Sequence, residues 1–218
     1  MKSFAIIGLS SFGYYMAKYL SENGFNVMAI DIEEDRIERV KSFVDRAVII
    51  DATDRDTLAG LGLADLDAVI VSLGDRMDAG ILVTMYLREL KVKHIIAKAL
   101  TEDHGKILNM VGATQVVFPE RDEAVRLAKT LESEYVLDTI HLGDNMSIIE
   151  VAPPKSFVGQ TLDELDLRNR YGALVLVIKE IIPNNQVVIP TADHLVTDTS
   201  ILLLLGRDED LAKIKKMK

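Results

Sequence analysis

Six short apolar runs, separated by longer amphipathic stretches, constrain the fold of this chain more than any other feature. They cover residues 4–7, 27–30, 47–50, 68–71, 94–97 and 116–118. Runs this brief and this continuously apolar suit parallel strands buried on both faces, whereas a strand with one wet face alternates. The stretches between them, 12–22, 33–43, 54–61, 75–90 and 102–111, carry a helical pattern. Strand and helix alternating up to a sixth strand predict an α/β fold, a Rossmann-type doubly wound parallel sheet. Right-handed crossovers leave few ways to connect it.

The first strand runs directly into Gly8-Leu9-Ser10-Ser11-Phe12-Gly13, which opens the first helix. In the dinucleotide fingerprint the first glycine makes the tight turn. The second admits backbone to the pyrophosphate, and the third lets helix pack on strand. Here Ser10 holds the second position. It offers N–H and O–H donors, but its side chain takes up space. The helix N-terminus adds positive potential for an anion. Asp31 ends the second strand, near the offset expected of a carboxylate that binds a ribose hydroxyl pair. An acid there disfavours the 2′-phosphate of NADP. The alternative is a turn kept for packing alone.

Further polar residues fall at the carboxyl ends of predicted strands, where open α/β sheets place ligands. Asp51-Ala52-Thr53 follows the third, Ser72 the fourth and Lys98 the fifth. Asp51 and Ser72 are candidates for adenine or ribose, and Lys98 for phosphate. Helix capping by Asp51 or Asp54, a turn at Ser72 and a solvated Lys98 are the alternatives.

A sixth helix is expected from Pro119 to about Glu134, with proline and acidic residues in its first turn. Beyond it the pattern changes. Strands are expected at 147–151, 173–179, 186–189 and 200–205, and short helices at 161–170 and 208–216. Residues 1–134 therefore read as a nucleotide-binding domain with its trailing helix, and 135–218 as a small α+β lobe.

The formal net charge of −9 argues against nucleic acid or an anionic membrane as a partner. The absence of cysteine excludes disulfides, thiolate metal sites and a cysteine nucleophile. No apolar run approaches the roughly 20 residues of a spanning helix, so a soluble, cytoplasmic protein is expected. His94, His104, His141 and His194 have no metal-ligand spacing, and no nucleophile elbow or Walker loop is present. An oxidoreductase needs an acid or base beside its nicotinamide, and no such cluster is visible. Nucleotide binding without visible chemistry points to a sensor, with an NAD-dependent oxidoreductase as the alternative.

The run from Phe4-Ala5-Ile6-Ile7-Gly8 through Gly13, Ala29-Ile30-Asp31, Ile50-Asp51-Ala52-Thr53-Asp54, Ala97-Lys98-Ala99 and Gly112-Ala113 to Phe118-Pro119-Glu120 resembles an RCK domain, a regulator of potassium conductance. It is most similar to the soluble Trk and Ktr regulatory subunits. The segments 147–151, 158–162 and 172–175 resemble the small C-terminal lobe of that family. The resemblance implies a non-enzymatic subunit that binds NAD(H), or ATP and ADP, in its Rossmann lobe. It also implies homo-oligomers, dimers assembling to an octameric ring, on the inner face of a membrane-embedded potassium channel or transporter subunit, whose flux the nucleotide gates. A regulator of another cation transporter would look the same. The implied ligand residues are Gly8, Ser10, Ser11, Phe12, Gly13, Asp31, Asp51, Ala52, Thr53, Ser72, Lys98 and Glu120. Many relatives resemble Gly-x-Gly-Arg-Phe-Gly at the turn, and Ser10 and Ser11 lose that glycine and that charge. Glu120 matches a family glutamate linked in some members to a divalent cation; no metal is expected here.

Overall fold

A computed structural model describes residues 1–131, 135–182 and 185–217, without the side chains of 129 and 130. It forms two compact units, Met1–Arg121 and Asp122–Lys218.

In the first unit, β1 (Ser3–Ile7), β2 (Asn26–Asp31), β3 (Arg46–Ile49), β4 (Ala68–Val71), β5 (Ile95–Lys98) and β6 (Gln115–Val117) form a sheet of order β3-β2-β1-β4-β5-β6. Every pairing is parallel. The continuous apolar runs have a direct cause. Along β1 and β4, Ala5, Ile7, Val69 and Val71 enter a core on one face, while Ile6 and Ile70 enter a second core on the other. Helices α1 (Ser11–Glu22) and α2 (Glu34–Val40) supply the second core. Helix α3 (Arg55–Ala59), α4 (Met77–Glu89) and α5 (Glu102–Val111) supply the first. The order reverses between β1 and β4, where β1 runs on to β2 on one side and β4 on to β5 on the other. Such a switch point opens a crevice at the strands' carboxyl ends.

Local chemistry sets the helix starts. Asp54 caps α3 by accepting the Asp56 and Thr57 N–H groups, at 3.1 and 3.3 Å. Thr101 caps α5 through the His104 N–H at 3.1 Å. Helix α2 ends at Val40, shorter than the sequence pattern suggests, because Phe43 N–H turns back to the Val40 carbonyl ahead of β3. Helix α6 (Pro119–Leu131) ends within the described residues, and the expected continuation to Glu134 lies outside them. So does the expected domain boundary; the compact units divide after Arg121.

The second unit has one antiparallel sheet, ordered β10-β9-β11-β8-β7. Its strands are β7 (Val136–Gly143), β8 (Met146–Val151), β9 (Leu174–Glu180), β10 (Gln186–Val188) and β11 (Ser200–Arg207). Burial alternates along β11, as expected of a sheet with one core face. Leu202, Leu204, Ile149 and Ile178 meet α7 (Leu162–Leu165), α8 (Leu167–Tyr171) and α9 (Asp208–Lys215) in that core.

Two features of this unit depart from the sequence pattern. Strand β7 drew no expectation, because polar Asp138, Thr139 and His141 interrupt its apolar residues. It is an edge strand with register shifts at Val136/Asp138 and His141/Gly143. The single helix expected at 161–170 is two, broken at Asp166 with φ 42°. Aspartate tolerates that left-handed conformation, and its carboxylate accepts the Asn169 amide at 2.7 Å. The first piece starts with a reciprocal cap. Thr161 Oγ1 accepts the Glu164 N–H, and Glu164 Oε2 accepts the Thr161 N–H.

Candidate functional site: a cleft at the switch point of the parallel sheet

The cleft at the carboxyl ends of the parallel strands has a volume of about 460 Å³. The glycine turn forms one wall. Gly8 has φ +91°, and a Cβ there would lie 2.3 Å from the Ser72 carbonyl oxygen. A Cβ on Gly13 would lie 2.0 Å from the Gly8 carbonyl. Only glycine permits both approaches, so these residues let β1 enter α1 directly against the end of β4.

Ser10 does not use its hydroxyl to cap α1. The hydroxyl instead reaches the Ser72 hydroxyl at 2.9 Å and the Ser72 carbonyl at 3.2 Å. The first bond of the helix runs from Tyr14 N–H to the Ser10 carbonyl, at 2.8 Å. The N–H groups of Ser11, Phe12 and Gly13 lie ahead of it with no side-chain cap. No acidic residue occupies that first turn. The helix therefore keeps its donors and its positive end for an anion.

Asp31 is 5% exposed. Its Oδ2 accepts the Leu9 N–H at 2.6 Å, its Oδ1 accepts the Glu33 N–H at 3.0 Å, and the Arg36 guanidinium lies 3.5 Å away. The carboxylate thus ties the glycine turn to the end of β2. An ionised carboxyl has roughly four acceptor positions, so a ribose hydroxyl can still be accommodated.

At the end of β3, Asp51 Oδ1 accepts the Thr53 hydroxyl at 2.7 Å and the Thr53 N–H at 2.9 Å. Those bonds hold its carboxyl below the usual aspartate range, with Arg76 adding a smaller pull in the same direction. Ala52 is buried beside them. Lys98, at the end of β5, is hydrogen-bonded to Glu120 at the start of α6. That bond holds the Glu120 carboxyl below its ordinary value.

Of the sequence candidates, Ser10, Ser11, Asp31, Asp51, Ala52, Thr53, Lys98 and Glu120 line this one cleft. Gly8, Phe12, Gly13 and Ser72 lie behind its surface. The glycines shape the turn, Phe12 packs into the core under α1 and α2, and fully buried Ser72 anchors Ser10. The sequence reading passed over Glu33, Arg36, Asp75 and Arg76, which also line the cleft. Glu33, Asp75 and Arg76 sit in the loops that follow β2 and β4, where the strand end was the available signal, and Arg36 sits in the first turn of α2. Among the described residues no group of His, Asp and Glu could hold a metal ion, and no helix is long and apolar enough to cross a membrane.

Comparison with known proteins places the arrangement. Residues 4–119 match the TrkA-N domain and residues 146–218 the TrkA-C domain. The chain is 39% identical over 215 residues to Ktr system potassium uptake protein C of Bacillus subtilis, covering 99% of this chain and 96% of that one. It is 32% identical to Ktr system potassium uptake protein A of the same organism, covering 98% and 96%. Among solved structures, the GsuK RCK domain superposes with a TM-score of 0.71 at 23% identity, covering 99% of this chain and 47% of that one. The GsuK channel bound to NAD gives 0.69 at 22%, covering 99% and 39%. The chain thus spans less than half the length of those solved chains, and the likeness to them is one of fold.

Proposed function

The chain belongs to the TrkA-N/TrkA-C family of potassium uptake proteins, a family of regulators rather than enzymes, and on that premise we propose that it gates potassium flux by binding an adenine nucleotide, NAD(H) or ATP/ADP, in the cleft of its parallel sheet. One observation carries the reading: the uncapped start of α1 and the carboxylate of Asp31 line the same cleft. The first suits a phosphate and the second a ribose. Ile32 and Ala52 offer apolar surface beside Asp31 for a flat base. The bound nucleotide would supply the signal. The chain would hold it and pass the difference on to a membrane-embedded potassium channel or transporter subunit.

The regulatory step would use contacts that differ between liganded and free states, since only differential contacts shift a conformational equilibrium. The Lys98–Glu120 bond supports a place for that difference, because it joins the floor of the cleft to the first turn of α6. A homo-oligomeric ring at the inner face of the membrane is the assembly in which such a shift would reach the partner.

Mass spectrometry of small molecules released from the purified protein tests the ligand directly. Calorimetry with NADH and ADP tests the site. Asp31→Asn is expected to weaken both by at least about tenfold, or 1.4 kcal/mol. Unchanged affinity in a variant with an intact circular dichroism spectrum would remove Asp31 from the site.

A further inference from the structure

We infer that Arg76 is the side chain that reads the phosphate groups of the nucleotide, making affinity depend on how many phosphates the ligand carries. The inference rests on the nucleotide reading of the cleft.

The cleft is lined by the cations Arg36, Arg76 and Lys98, and by the carboxylates Asp31, Glu33, Asp51, Asp75 and Glu120. Two of the cations are already engaged. Arg36 lies 3.5 Å from Asp31, and Lys98 is bonded to Glu120 with only 7% of its side chain exposed. Drawing Arg36 away would leave a buried carboxylate short of its counter-charge, and drawing Lys98 away would break the bond to Glu120. Each pair has one buried member, Asp31 in the first and Lys98 in the second, and leaving a buried charge without its partner is costly. Arg76 is different. Among the described residues its side chain makes no hydrogen bond and no ion pair, and it is exposed at the mouth of the cleft. Its electrostatic partner is Asp51, whose oxygen is already held by Thr53.

Position favours the same residue. Arg76 ends the loop from β4 and directly precedes α4, so it stands on the β4 side of the switch point. The free N–H groups of α1 stand on the β1 side. A phosphate group held by α1 lies between the two walls. Guanidinium presents a planar fork of donors that matches phosphate oxygens two at a time. Need points to it as well. With five carboxylates against three cations, each added phosphate meets repulsion that the paired cations already spend on their partners. Arg76 is the lining cation that can offset it without breaking a bond.

The experiment is calorimetry of adenosine, AMP and ADP with the unmodified chain, Arg76→Ala and Arg76→Lys. The unmodified chain is expected to bind more tightly as phosphates are added. Arg76→Ala should bind adenosine unchanged and ADP at least about tenfold more weakly, so that the gain per phosphate disappears. Arg76→Lys, which keeps the charge but not the fork, should recover part of the ADP affinity. If Arg76→Ala binds ADP as the unmodified chain does, the inference is overturned and the nucleotide reading stands. An equal loss for adenosine and ADP also overturns it, because Arg76 would then shape the cleft and not read phosphate. If the unmodified chain binds none of the three, both the inference and its premise are overturned.

Discussion

At the residue scale, His104 is the side chain whose surroundings most disagree with its chemistry. It is 5% exposed, and its Nε2 has no hydrogen-bond partner among the described residues. Its Nδ1 accepts a long 3.4 Å bond from the Leu100 N–H. Nε2 faces Gly80 of α4, where a Cβ would come within 3.9 Å. Burial lowers the pKa of His104, because the charged ring would have to sit unpaired between two helices. The sign follows from linkage. The unfolded chain takes up this proton near an ordinary histidine pKa of about 6.5, while the folded chain resists it. Stability is therefore fully present above about pH 6.5 and is lost as the pH falls below that value toward the folded pKa. The urea midpoint should drop between pH 7.5 and 5.5, and the drop should be smaller in His104→Leu. Equal drops in both proteins would show that His104 does not carry the effect.

At the element scale, α4 ends in a way that costs stability. Lys91 has φ 62°. Its N–H reaches the Arg88 carbonyl at 3.0 Å, and Val92 N–H reaches the Leu87 carbonyl at 3.0 Å. This pair of bonds is the Schellman closure, which usually places glycine in the left-handed position. A lysine there pays the steric cost of its Cβ, roughly 1–2 kcal/mol. Lys91→Gly is expected to raise stability by about 0.5–1 kcal/mol, less than the full relief because glycine also gains freedom when unfolded. Chemical denaturation with an unchanged m-value would measure it, and a loss of stability would refute the account. The apolar residues of α4 divide between its own unit and solvent. Val83 and Leu87 are buried, Ile81 and Tyr86 pack against that same core, and Met77 is 42% exposed. Helix α6 is more open, with Val125, Leu127 and Leu131 exposed by 48, 53 and 78%.

At the scale of the whole molecule, each unit closes a core of its own: two layers flank the parallel sheet, and one lies on the antiparallel sheet. Among the apolar side chains that the cores leave exposed are those of α6 and of the Ile140–Leu142 stretch of β7. Association of copies would cover such surface. Light scattering at micromolar concentration is expected to give a mass well above the 24.2 kDa of one chain. A 24.2 kDa species both with and without nucleotide would count against the assembled reading.

The sequence by itself determined the parallel sheet and the turn that opens its cleft. Burial on both faces leaves an unbroken apolar run, and the contacts at Gly8 and Gly13 admit no side chain, so both constraints are written in residue type. It also placed Asp31, Asp51 and Lys98 at strand ends, because strand ends show where apolar runs stop. Only the tertiary structure decided what those groups do. Asp31 is tied to Leu9, Glu33 and Arg36, Lys98 to Glu120 and Ser10 to Ser72, which among the described residues leaves Arg76 as a lining cation whose side chain makes no hydrogen bond or ion pair. Strand β7 was likewise invisible, since an edge strand with register shifts obeys no short period. Pairing between residues far apart in the chain leaves no mark on local composition, so the charge left over for a ligand is known only once every other charge has found its partner.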